Sequence, residues 1–173
     1  MHALNTRTEK SKSLPLHRKK GNPNKIHIQI SRTVHCPAPV KWVEKLGDSV
    51  LREEMWQGNG ILSIVFVSDS EIESLNLGFL GRARPTDVIA FPLADEEDEI
   101  WGEIYISVDR TREQADEYHV PFEEELARLV IHGILHLLGF KDHTSSERKK
   151  MTDKEDLYLA RFWKSHRPER RIK

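Results

Sequence analysis

Leu129-Val130-Ile131-His132-Gly133-Ile134-Leu135-His136-Leu137-Leu138-Gly139-Phe140-Lys141-Asp142-His143 is the stretch on which the reading of this chain turns. Leu126, Leu129, Val130, Gly133, Ile134 and Leu137 recur at three- and four-residue intervals, the pattern of a helix packed on a core. His132 and His136 lie four apart, so a helix stacks them one turn above each other on one face. Two imidazoles so placed can each aim a nitrogen at one small ion. Gly139 allows the left-handed residue that ends a helix. The chain can then turn and bring Asp142 or His143 back towards the same ion. A lone His-x-x-x-His pair is often a surface or satisfied core feature. On so apolar a helix, however, converging imidazoles are buried polar groups that need something to bind.

Composition narrows the class. The 173 residues suffice for one domain with a real core, and the 32% of charged residues suits a water-exposed surface. No apolar run approaches the roughly eighteen residues of a membrane span, and no apolar signal core stands near the N-terminus. Cys36 is the single cysteine, which excludes an intrachain disulfide and fits a reducing cytoplasm. Residues 1–25 hold seven Lys or Arg against Glu9, and residues 164–173 hold five against Glu169. Those ends carry +10, so the body between them carries −11 of the net −1. Basic ends of this kind suit an RNA phosphate backbone, and equally suit simple solvation.

In chain order, residues 1–24 read as a disordered basic arm, 25–164 as one domain and 165–173 as a basic tail. Ile26, Ile28 and Ile30 alternate as a first strand. Ala38-Pro39 introduces a helix with Trp42 or Val43, Leu46, Val50 and Leu51 inward. Asn59-Gly60 turns into a strand over Ile61 to Val67. Ser68 to Glu71 caps a short helix with Ile72 and Leu75. Strands follow at Val88–Phe91 and Ile104–Ser107, flanking an acidic loop at 95–99. Asp109–Tyr118 is helical, and Pro121 suits the first turn of the His132 helix. Ser145 or Ser146 caps a last helix to about Lys164, with Met151, Leu157, Tyr158 and Phe162 inward. The fold class is α+β: a mixed four-stranded sheet with helices packed on it, the metal-site helix lining a cleft.

The run from His132 to Phe140, followed by an Asp-His pair, resembles the signature of the YbeY endoribonucleases. Leu75-Asn76, the Pro85 to Pro92 run and Gly102 to Ser107 stand in that family's order and spacing, over roughly residues 26–160. The resemblance implies a single-strand-specific, metal-dependent endoribonuclease of late rRNA maturation at the 16S 3′ end and of ribosome quality control. It also implies one Zn2+ per chain, with RNA and the ribosome or its proteins as partners. The family places a third His six residues after the second, and here that position is Asp142. The Gly139-to-Met151 spacing is the family's, which favours Asp142 over His143 as third ligand. The family's Arg beside the loop glycine is Leu80 here, leaving Arg82 for the catalytic cation, and Arg84 and Lys141 for substrate. Ala90 stands where a small polar residue is usual.

Two other classes compete. A zinc metallopeptidase shares the His-x-x-x-His layout, but places its general-base Glu where this chain has Gly133. A non-catalytic ribosome-associated factor would close a structural metal with four ligands, and Cys36 is the only thiol to add.

Overall fold

The structure, a computed structural model, describes residues 26–56, 60–81, 84, 86–93 and 100–166. Four strands and five helices follow in the predicted order. They are β1 (Ile26–Arg32), α1 (Val40–Glu53), β2 (Gly60–Val67), α2 (Asp69–Leu80), β3 (Val88–Pro92) and β4 (Ile100–Ser107), then α3 (Val108–Glu117), α4 (Phe122–Leu137) and α5 (Ser145–His166). The sheet order is β1-β2-β4-β3, with β3 antiparallel to β4 and the other pairs parallel. It is a mixed four-stranded sheet, as expected.

Alternation along the strands divides the core. Register sets Ile64 beside Ile104, and Leu62, Ile64, Phe66, Ile104 and Ile106 are all fully buried on the face that α4 covers. On the opposite face Val67 and Ile89 meet Ile72 of α2 in a smaller cluster. Ser68 holds α2 in a reciprocal capping box with Glu71.

Helix α4 is the hub. It touches β3, β4, α1, α3 and α5, and Leu126, Ala127, Leu129, Val130, Ile131, Gly133, Ile134 and Leu135 are all buried. A helix apolar nearly all round belongs in an interior, and here it lies between the sheet and α5. Gly133 sits where α4 presses on the sheet: a Cβ there would lie 2.7 Å from Ile104 Cγ2. Among the described residues no helix is long and apolar enough to cross a membrane.

Some details differ from expectation. β4 begins at Ile100 because the β-ladder with β2 extends that far. Pro121 is the N-cap of α4 rather than part of its first turn, and makes no side-chain cap bond. Thr144 caps α5, not Ser145 or Ser146: Glu147 N–H donates to Thr144 Oγ1 (3.2 Å) and Thr144 N–H to Glu147 Oε2 (2.9 Å). Leu157 is 43% exposed, and the inward stripe runs instead through Met151, Glu155, Tyr158, Leu159 and Phe162. The arm at 1–24, Asn59, the acids at 95–99 and residues 167–173 lie outside the described residues.

Candidate metal centre

The C-terminus of α4 shapes the site. Leu138 is the C-cap and Gly139 takes φ +91°. Gly139 N–H donates to His136 O (2.9 Å) and Phe140 N–H to Leu135 O (3.0 Å), the paired bonds of a Schellman turn. That turn folds the chain back over the helix end, so the Phe140 carbonyl lies 3.0 Å from His136 Nδ1. A carbonyl only accepts, so Nδ1 carries the proton and Nε2 the lone pair.

His132 is anchored from another helix. Its Nδ1 lies 2.7 Å from Glu155 Oε1 of α5, a carboxylate that is 6% exposed. Both rings therefore turn Nε2 inward, 2.9 Å apart, with their planes 80° to each other. Asp142 Oδ2 lies 3.7 Å from His136 Nε2 and 4.0 Å from His132 Nε2. Ligand atoms of His132, His136 and Asp142 all fall within 4.8 Å of one another. Facing lone pairs beside a carboxylate repel unless a proton or cation joins them. Two imidazoles and one carboxylate are a donor set that zinc accepts, with a fourth position left for solvent.

The electrostatics separate the two rings. Burial opposes charge on His132, but the Glu155 hydrogen bond and charge, then Asp87 and Asp142, outweigh it and raise its pKa. Burial and then the His132 charge lower that of His136. His132 is therefore the more basic of the two rings.

Neighbouring acids complete the wall. Asp87, at the entry to β3, accepts from its own neighbour Val88 N–H (2.9 Å), from Thr86 Oγ1 (3.1 Å) and from Gln114 Nε2 (3.0 Å). Glu125 is 3% exposed; burial raises its pKa, Arg128 opposes this, and Asp87 and Glu155 add to it. A carboxyl whose folded pKa lies above its unfolded value loses stability for the protein as pH rises through the range between them. Glu125→Gln is expected to match the parent near pH 4 and to melt higher than the parent at pH 8. Thermal melting across that range checks it; a parent that melts higher at pH 8 would overturn the assignment.

The structure brings together His132, His136 and Asp142, and leaves His143 exposed and outside the cluster. Cys36 is buried in the core, where desolvation raises its thiol pKa, so no thiol joins the donor set. Arg84 is exposed, and its carbonyl accepts from the buried Asn76 Nδ2 (2.7 Å), which ties that loop to α2. Lys141 is exposed beside Asp142. Arg82 and the side chain of Leu80 lie outside the described residues. Ala90 packs on the α4 side of β3. Glu155 and Arg128 were not singled out from sequence. The readable signal for Glu155 is an acid occupying the apolar stripe of α5 at Met151, Tyr158 and Phe162.

The profile of the family described as "Endoribonuclease YbeY" matches residues 25–163. A Chloroherpeton thalassium protein named Endoribonuclease YbeY is 40% identical over 135 residues, covering 78% of this chain and 94% of its own. A Thermotoga neapolitana protein of the same name is 40% identical over 126 residues, covering 72% and 80%. The solution structure of TM1509 from Thermotoga maritima superposes with a TM-score of 0.56 at 32% identity, covering 86% of this chain and 99% of that one. This chain belongs to the YbeY family.

Proposed function

We propose that this chain is a zinc-dependent endoribonuclease that cuts single-stranded ribosomal RNA, acting in late maturation of the 16S 3′ end and in ribosome quality control. The observation that carries the reading is the convergence of His132 Nε2, His136 Nε2 and the Asp142 carboxylate within 4.8 Å, at a partly exposed end of α4. Three protein ligands leave a coordination position open, the mark of a catalytic rather than a closed structural site. When bound there, zinc supplies Lewis acidity towards a phosphoryl oxygen and lowers the pKa of a bound water to about 7.

The chain's own residues do the rest. His132 and His136 present their Nε2 atoms because Glu155 and the Phe140 carbonyl accept hydrogen bonds from their Nδ1–H groups. Arg82 supplies the catalytic cation in place of the Arg that Leu80 replaces, and Arg84 and Lys141 supply positive charge for the substrate phosphate. The basic ends at 1–25 and 164–173 hold the RNA backbone against the acidic body and favour the ribosome as the place of work. Zinc peptidase chemistry fits less well. Its general-base Glu belongs at position 133, where even a Cβ would crowd Ile104.

Purified full-length protein incubated with labelled single-stranded and structured RNA tests the reading. Cleavage is expected only of the unpaired RNA, is abolished by chelator and returns with added Zn2+. Cleavage that resists the chelator and persists in His132→Ala would overturn it, as would a zinc-loaded protein that cuts no RNA.

A further inference from the structure

Glu155 is a carboxylate in the apolar stripe of α5, and an unpaired charge so buried is costly. One of its oxygens accepts from His132 Nδ1 at 2.7 Å. The other lies 3.5 Å from Arg128 Nη1, which in turn donates to Asp156 Oδ1 at 2.8 Å. Arg128 thus faces the oxygen that His132 leaves, and the carboxylate reaches past its guanidinium partner to the imidazole. The two histidines are therefore held unequally, His136 by a neutral carbonyl and His132 by a charged acceptor.

We propose that Glu155 is a positioning residue of the metal centre. It accepts a hydrogen bond from His132 Nδ1–H, fixes that ring's tautomer and rotation so that Nε2 faces the metal, and makes that nitrogen the stronger donor. Arg128 partners the other oxygen of the carboxylate in its buried seat. The inference rests on the reading of His132, His136 and Asp142 as ligands. A carboxylate behind a ligating imidazole raises its basicity and locks its orientation. The arrangement also gives α5 a part in the centre, although it contributes no ligand. Its N-terminus receives the Asp142 loop, and Glu155 in its third turn braces His132.

Full-length Glu155→Met, Glu155→Gln and Arg128→Met proteins, compared with the parent and with His136→Ala, test this. Zn2+ affinity is read by competition with a chromophoric chelator, the ligand field by visible absorption of the Co2+ form, and the His132 tautomer by 15N NMR of the Zn2+ form. Glu155→Met, which keeps bulk without an acceptor, is expected to weaken Zn2+ binding about 10- to 100-fold. It also alters the Co2+ bands and loses the fixed Nδ1–H signal. Metal-free Glu155→Met is expected to melt lower than the metal-free parent, because His132 Nδ1–H and Arg128 lose their buried acceptor, so the metal readouts rather than melting decide the role. Glu155→Gln retains an acceptor and loses less affinity than Glu155→Met, and Arg128→Met loses less again.

Parent-like affinity and Co2+ bands in Glu155→Met, with only its melting changed, would make Glu155 structural and overturn the proposal while the ligand set stands. Should Glu155→Met not fold, unchanged affinity and Co2+ bands in Glu155→Gln would overturn it. A parent protein that takes up neither Zn2+ nor Co2+ would overturn the ligand reading and this inference together.

Discussion

Asp142→Ala is expected to lower Zn2+ affinity by about a hundredfold or more and to abolish RNA cleavage, whereas His143→Ala is expected to leave both within about twofold. On the proposed ligand set the first figure exceeds what loss of an outer-shell partner costs, about 10- to 100-fold, because a ligand and, among the described residues, the one carboxylate of the cluster go together. His132→Ala and His136→Ala belong with Asp142→Ala.

The contrast between the adjacent positions 142 and 143 rests on how their loop is pinned. Arg148 Nη1 donates to the carbonyls of Asp142 (3.1 Å) and His143 (2.9 Å), while the Thr144–Glu147 box fixes the start of α5. The backbone is thereby held with Asp142 Oδ2 towards the two Nε2 atoms and His143 exposed. Asp142→His is expected to retain metal binding, since an imidazole can replace a carboxylate as ligand. Asp142→Asn keeps the shape without the charge and is expected to bind weakly. Zinc retained by Asp142→Ala but lost by His143→Ala would require a different course for residues 140–144.

These residues also mark how far the sequence could be read. The α4 helix and β2 were legible because their period is strong and long: 3.6 for one, 2 for the other, each on a buried face. The histidine pair was legible because spacing on a rigid helix is a geometric fact. Which of Asp142 and His143 joins the histidine pair was only half legible, because a loop after a helix has no period. Its direction comes from the Schellman turn, which Gly139 announces, and from Arg148, whose contact with residues 142 and 143 is made only after folding.

The capping of α5 was open to a closer reading. Thr144, Ser145 and Ser146 are all acceptable caps, but only Thr144 has a Glu three residues on. Hydrophobicity alone assigns Leu157 to the core, yet it is exposed. Following Met151 at intervals of four, three and four reaches Glu155, Tyr158 and Phe162 instead, and those positions are buried. The acid at 155 hides in such a reading because a glutamate is by default a surface residue. Only the approach of α5 to α4 supplies the imidazole and the guanidinium that justify its burial.

Gly133, lying between the two histidines, gives the second large effect. An added Cβ would lie 2.7 Å from Ile104 Cγ2 and 3.0 Å from its Cδ1. Cγ2 is fixed to the Cβ of a fully buried β-branched side chain in the central part of the sheet, so it cannot swing aside. Overpacking of this kind costs about 1–3 kcal/mol, against about 1 kcal/mol that alanine contributes over glycine in a helix interior. Gly133→Ala is therefore expected to lose up to about 2 kcal/mol net, seen as a fall of several degrees in melting temperature, and to loosen zinc by shifting the turn that bears both imidazoles.

Gly133→Glu, which would restore the His-Glu-x-x-His order of a peptidase, forces a charge against Ile104 as well. It is expected to prevent stable folding rather than confer proteolysis. The cause can be isolated by a double-mutant cycle. Ile104→Ala alone leaves a cavity costing about 2–5 kcal/mol. If the crowding is real, however, the Gly133→Ala, Ile104→Ala pair will be more stable than the sum of the single changes predicts. Strict additivity, or a Gly133→Ala protein more stable than its parent, would mean that α4 and β4 are not pressed together at this point. The spacing between the histidine pair and the sheet would then have to be set by some other contact.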